Sequence, residues 1–267
     1  MKLWGGRFAP GTRDPLFEKF SESFSVDQRL VHYDLQVNLA YVKELGRAGV
    51  VRSEETRRLA RGLEAIRRHV ERHSDWARDQ SSEDVHTWVE ERLEREVGPV
   101  ARKLRTGRSR NDLVATETRL YLKSAISHLR LAILELLQAL VAQARRHARV
   151  VLPGYTHLQP AQPVLLAHYL LAYFEMLMRD LGRLGECRAR ADELPMGAGA
   201  LAGTTFPINR ARLARELRFA RVARNSLDVT SDRDFVCETL FACALTLTHL
   251  SRLAEDLIVY SSPGFGF

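Results

Sequence analysis

Apolar residues recur along this chain mostly at steps of three and four, the period of an amphipathic helix. Within 113–150, Leu122, Ile126, Leu129, Ile133, Leu136 and Leu140 alternate steps of four and three, which is the seam of a left-handed helix bundle. A second stripe, Ala167, Leu170, Phe174, Leu177, Leu181 and Leu184, falls in a segment from about Pro163 to Ala191. A third runs through Val236, Leu240, Cys243, Leu247, Leu250, Ala254 and Leu257, after a start at Ser231 with Asp234 three residues on. Seams this regular predict long, nearly antiparallel helices packed at shallow angles. A helix over 109–148 would be about 60 Å long.

Shorter amphipathic segments precede these, at about 27–48, 53–73 and 82–97, the last two introduced by Ser53 and by Ser81/Ser82. Gly98-Pro99 then breaks the pattern, and residues 1–25 read as irregular, with Gly5, Gly6, Pro10, Gly11 and Pro15. No convincing alternating run predicts a strand. The pattern predicts an all-α protein with an N-terminal domain over 1–105 and a long-helix bundle over 106–267.

Composition narrows the class. With 45% hydrophobic and 27% charged residues in 267, the chain reads as a soluble globular protein able to bury a core. It has no uninterrupted apolar run of membrane-spanning length, and its first residues lack the apolar core of a secretory signal. Cys187, Cys237 and Cys243 are odd in number and lie in helical patterns, as in a cytosolic protein with reduced thiols. The net charge of +7 suits nonspecific attraction to polyanions. The arginines, however, alternate with glutamates between Glu54 and Arg72, and the aromatics form no stacking platform. Both argue against dedicated nucleic-acid recognition.

Between Arg105 and Asp112 the chain reads Arg-Thr-Gly-Arg-Ser-Arg-Asn-Asp. Ser109 suits an N-cap, with Asp112 three residues on as its capping-box partner. Arg108, Arg110 and Asn111 would then surround a helix N-terminus, where free N–H groups and the dipole favour an anion. Two readings stay open on these residues alone: a carboxylate or phosphate site, or an ordinary capped helix start with solvated arginines. His157 sits with Thr156 between Pro153 and Pro160, on a stiff turn; histidine is the side-chain type suited to proton transfer near neutrality. His69 and His73 have the spacing of a helical metal pair but lie among Arg67, Arg68 and Arg72 without a third ligand. They read as a solvated face, and no metal is expected. His86 follows Glu83-Asp84-Val85 at a helix start, which suggests a local carboxylate–imidazole contact. Gly197–Gly203 has Gly-x-Gly-x-x-x-Gly spacing with no strand before it, which excludes a dinucleotide loop.

Taken together, several segments resemble the argininosuccinate lyase family of the aspartase/fumarase superfamily. They are Leu3–Phe8 (LWGGRF), Glu83–Thr87 (EDVHT), Thr106–Asp112 (TGRSRND), Pro153–Gln159 (PGYTHLQ), Gly199–Gly203 (GALAG), Arg224–Asp228 (RNSLD), Ser231–Phe235 (SDRDF) and His249–Leu257. The resemblance implies an all-α homotetramer with active sites shared between subunits, in the cytoplasm, with neither nucleic acid nor membrane as partner. It implies cofactor-free β-elimination of argininosuccinate to L-arginine and fumarate, in arginine biosynthesis or the urea cycle. It carries over His157 as the catalytic acid/base and Ser23, Asp27, Ser109, Arg110, Asn111 and Thr156 as substrate-binding residues. Within the superfamily, adenylosuccinate lyase matches the opening and the 106–112 segment less well. A noncatalytic, crystallin-like relative would share the same fold. The family's Gly-Ser-Ser-x-Met-Pro loop, source of its proton-abstracting serine, lies beyond Ser262-Pro263-Gly264-Phe265-Gly266-Phe267. The expectation is an N-terminal part of such a lyase with an incomplete bundle, inactive alone.

Overall fold

A computed structural model describes residues 15–78 and 82–266. The Leu3–Phe8 segment and Ser81 lie outside the described residues. Ten helices and two small two-stranded ladders occur among them. In order they are α1 (Pro15–Ser21), α2 (Phe24–Asp27), α3 (Val31–Arg47), α4 (Ser53–Arg72), α5 (Val85–Val97), α6 (Arg110–Arg146), β1 (Val151–Thr156), β2 (Gln159–Leu165), α7 (Leu166–Ala191), β3 (Glu193–Leu194), α8 (Arg210–Glu216), β4 (Arg221–Val222), α9 (Ser226–Ser231) and α10 (Asp234–Tyr260). Turns of 3-10 helix occupy Gln28–Leu30 and Gly98–Arg105.

The chain forms two compact units. One comprises residues up to Tyr121 together with Asp192–Asp232; the other comprises Leu122–Ala191 and the residues from Arg233 onward. This division differs from the boundary expected at 105/106. Leu113 and Leu120, on the first turns of α6, belong to the same core as α3, α4 and α5, so the composition break at Gly98-Pro99 is not a break in packing.

In the first unit, α3 buries the stripe Val31, Asp34, Asn38, Tyr41 and Leu45. α4 adds Leu59, Leu63, Ile66 and Val70, and α5 adds Val85, Val89, Leu93 and Val97. The segment after α7 returns to this core through Leu194, Met196, Leu213, Ala214, Leu217 and Phe219. The helix starts are capped elsewhere than expected. Ser53 is the first helical residue of α4, which Glu55 closes by accepting from Arg52 N. Asp84, not Ser82, caps α5, its Oδ1 accepting from Thr87 N at 2.7 Å; a carboxylate meets the helix N-terminus better than a hydroxyl does.

In the second unit, Ile126, Ile133, Leu137 and Leu140 of α6 pack with Leu170, Tyr173, Leu177, Leu181 and Leu184 of α7, close to the two stripes read from sequence. The third stripe differs. α10 begins at Asp234, because Ser231 closes the separate helix α9. It buries Phe235, Thr239, Ala242 and Thr246, whereas Leu240, Leu247 and Leu257 are exposed. The helix contacts its neighbours on a face rotated from its richest apolar seam.

Residues 151–165 carry no strand signal in their sequence, yet β1 and β2 pair as an antiparallel hairpin with a bulge between Pro153 and Tyr155. Nearly all of β2 is exposed, so no alternation of polarity marked it. Gly154 is needed at the bulge, since a Cβ there would lie 2.8 Å from the Gln162 carbonyl oxygen. By length and composition α6 is the one described helix that could cross a membrane, although Arg119, Lys123 and Arg130 lie along it.

Candidate active site

The start of α6 has the geometry that the sequence predicts. Asn111 N donates to Ser109 Oγ at 3.2 Å, and Ser109 N donates to Asp112 Oδ1 at 3.0 Å, the two halves of a capping box. Asp112 does more than cap. Its Oδ2 accepts from Gly197 N at 3.0 Å and Gly199 N at 2.9 Å, which fixes the 106–112 loop to the glycine-rich segment. Burial lifts this carboxyl above the usual range, and the three N–H donors only partly oppose it. Tyr41 Oη donates to the Thr106 carbonyl at 2.7 Å from the other side. Gly107, at φ 72°, lies so close to Phe206 that a Cβ would stand 2.8 Å from its ring.

The loop's arginines are turned toward protein groups. Arg105 pairs with Glu90, Arg108 donates to Asn38 Oδ1, and Arg110 pairs with Asp84 while donating to Thr87 Oγ1 at 3.1 Å. The side-chain groups at the mouth of α6 are therefore Ser109 and the exposed Asn111, with Arg110 bracing the start of α5. Burial pushes the Asp84 carboxyl up, but Arg110 and the Thr87 N–H outweigh it and hold it below the ordinary range.

Ser23 and Asp27 meet the same segment from α2. Ser23 Oγ donates to Asp27 Oδ2 at 2.7 Å, Ser23 N donates to the Glu83 carbonyl at 2.9 Å, and Val85 N donates to Asp27 Oδ1 at 3.0 Å. Burial raises the Asp27 carboxyl. Residues 83–87 thus join Ser23 and Asp27 to Arg110, and Ser109 and Asn111 follow on the adjoining turn. Thr156 and His157 belong to the second unit. They lie at the tip of the β1–β2 hairpin, where His157 and Leu158 take φ of 53° and 58°, as both central residues of a type I′ turn do. The imidazole is exposed, on a turn as expected. Behind it Tyr155 packs against Tyr260 and Phe265.

Sequence reading missed the buried polar group beneath 83–87. His86 Nδ1 contacts Asp34 Oδ2 at 2.7 Å and Glu117 Oε2 at 3.3 Å, so its carboxylates come from α3 and α6 and not from the neighbouring Glu83 or Asp84 as expected. Asn38 Nδ2 donates to Asp34 Oδ1 at 2.5 Å. A signal existed: Asp34 and Asn38 interrupt the apolar stripe of α3, and Glu117 stands between Leu113 and Leu120. The three titratable groups place their polar atoms within 4.8 Å of one another, near enough to raise the question of a metal ion. Two ligands of a tetrahedral ion with bonds of ~2.0 Å stand roughly 3.3 Å apart. The 2.7 Å imidazole–carboxylate contact is a hydrogen bond by that measure.

A lyase family model matches residues 6–267 of the sequence. The chain belongs to the lyase family. It is 51% identical over 266 residues to the argininosuccinate lyase of Desulforudis audaxviator, 48% over 266 to that of Pelotomaculum thermopropionicum and 49% over 267 to that of Moorella thermoacetica. Each alignment covers 100% of this chain but only 57–58% of the relative, so the chain spans under three fifths of the curated relatives it matches. Among solved structures, an EDDS lyase variant with bound fumarate matches with a TM-score of 0.81 at 31% identity, over 96% of this chain and 51% of that one. A fumarate lyase from Mesorhizobium sp. BNC1 shares the fold at 22% identity and a TM-score of 0.73, over 99% of this chain and 60% of that one.

Proposed function

We propose that this chain carries substrate-binding and proton-donating parts of a lyase that cleaves argininosuccinate to L-arginine and fumarate by cofactor-free β-elimination. The observation that supports it most is the capped start of α6, with Ser109 and Asn111 at its mouth and Ser23 and Asp27 beside it through residues 83–87. In this reaction a proton leaves the carbon next to a succinyl carboxylate, and the electron pair spreads into that carboxylate. The N-terminus of α6, the Ser109 hydroxyl and the Asn111 amide stabilise the resulting charge, as preorganised donors do in an oxyanion hole, and a hairpin tip of the assembly adds its Thr156. The carbon–nitrogen bond then breaks, and His157 gives a proton to the departing guanidine nitrogen. Asp27, held by Ser23 and Val85 N, faces the guanidinium end of the substrate. Arg110 acts through Asp84, keeping 83–87 in place.

The working form is a cytoplasmic homotetramer with sites shared between subunits, without nucleic acid or membrane as partner. The exposed Leu240, Phe241, Leu247 and Ile258 of α10 support burial against further helices. The test is calorimetric titration of argininosuccinate into the purified chain, with fumarate release followed by ultraviolet absorbance. Saturable binding that Asn111→Ala weakens by about tenfold or more, the size of one charge-assisted hydrogen bond, is expected. A folded chain without such binding supports a crystallin-like structural protein instead. Salt-sensitive polyanion binding that survives Asn111→Ala and His157→Ala would replace the lyase reading altogether.

A further inference from the structure

Glu117 lies on the core face of α6 and is 0% exposed. Neither of its side-chain oxygens receives a hydrogen bond from a donor among the described residues. The groups that face it are the Asp34 carboxyl from α3, His86 Nδ1 from α5, Arg108 from the loop before α6 and, further off, Asp27 from α2. The Arg108 guanidinium hydrogen-bonds Asn38, and the His86 ring nitrogen is directed at Asp34. Two carboxyl groups buried side by side cannot both carry charge without a large penalty, whereas one proton between them removes the repulsion and supplies a hydrogen bond.

We infer that Glu117 is a neutral carboxylic acid that donates its proton to Asp34, and that the chain Glu117–Asp34–His86 positions residues 83–87 under the candidate active site. Burial and the Asp34 charge both push the Glu117 carboxyl well above the usual range, with the Arg108 charge opposing them. Asp34 is then the single anion of the group, taking hydrogen bonds from Asn38, from His86 and from Glu117. His86 sits between Asp84, which holds Arg110, and Thr87, while its neighbour Val85 binds Asp27. Glu117 touches no substrate in this arrangement and is a positioning residue. The positioning role rests on the proposed lyase site; the protonation of Glu117 does not.

Between the ordinary carboxylate range and its raised folded value, Glu117 is protonated when folded and ionised when unfolded, so folding takes up a proton there. Its contribution is complete at low pH and is lost as pH rises toward the folded value. The ratio of wild-type to Glu117→Gln unfolding constants should therefore rise about tenfold per pH unit across that window. Glutamine keeps the shape and a donor toward Asp34, so the variant folds. Amide exchange of Val85 and Thr87, corrected for intrinsic base catalysis, should accelerate with pH in the wild type and not in Glu117→Gln. Neither readout depends on turnover, so failure of the lyase reading leaves both interpretable.

A second measurement uses the wild type alone: a protonated-carboxyl signal at neutral pH, assigned to glutamate by carbon-13 labelling of the glutamate carboxyls. Equal pH dependence in wild type and Glu117→Gln, or absence of that glutamate signal in the folded chain, would overturn the protonation. A divalent ion found at one per chain by elemental analysis, and lost in Glu117→Gln, would overturn it too. Val85 and Thr87 exchange that ignores Glu117 would overturn the positioning role.

Discussion

Asp84 and Glu117 are carboxyl groups of one polar network with opposite responses to pH. Arg110 and the Thr87 N–H hold Asp84 below its usual range, so its stabilisation is present above the unfolded value and disappears as pH falls through the folded one. Glu117 loses its contribution in the other direction. The first unit should have a stability maximum between the two, and Asp84→Asn should flatten the acid side of a pH series of urea unfolding midpoints while leaving the alkaline side. Asp112 is a different case, a buried carboxylate that answers two distant N–H groups. Asp112→Ala strands both Gly197 N and Gly199 N, at a cost of roughly 2–5 kcal/mol, measurable as a fall in ΔG of urea unfolding; Asp112→Asn, which keeps an acceptor oxygen, should cost less. The capping pair Ser109 and Asp112 was legible from sequence because caps obey local spacing rules. The second oxygen of Asp112 was not, because its partners are 85 and 87 residues away. The same holds for the arginines at 105, 108 and 110, whose charge advertised an anion site but whose partners come from other helices.

Among the elements, the long helices were readable and the hairpin was not. α7 buries most of the stripe read from it, since a helix packed on a neighbour repeats its burial every three to four residues. The hairpin has almost no buried face and owes its shape to a turn and a bulge. Both can be tested by substitution. Gly154→Ala places a Cβ against the Gln162 carbonyl and should destabilise the hairpin by about 1–3 kcal/mol. At the tip, His157→Gly removes the penalty of a left-handed residue, about 1–2 kcal/mol at most, and should tighten the turn while abolishing any proton donation. Opposite effects on amide protection in 151–165 would identify the two contributions. The α10 reading failed in phase only: the helix is present, but its three exposed leucines show that packing on α7 selected another face.

At the scale of the whole chain, those leucines matter more than they do within one unit. Leu240 and Leu247 are each 64% exposed, two turns apart on one face of α10. Burying a leucine side chain is worth about 1.5–3 kcal/mol, so association of chains through this face is favoured as concentration rises. Leu240→Glu with Leu247→Glu should lower the weight-average mass measured by light scattering and leave the helical circular dichroism unchanged; a mass that stays the same would remove α10 from the assembly surface.

The division of the molecule carries a consequence for its synthesis. The first unit is discontinuous: the chain leaves it after Tyr121 and returns at Asp192. Its core needs Leu213, Leu217 and Phe219, which emerge from the ribosome some seconds after α3–α5 at ordinary elongation rates, about 5–20 residues per second. Until then α3 lacks the cover of α8, and Asp112 has no glycine amides to bind. A nascent chain stalled before residue 192 should therefore be protease-sensitive in α3–α5, and one stalled beyond 232 resistant. The tie that fixes the candidate site thus doubles as a checkpoint in time, closing only after Gly197 and Gly199 have been made.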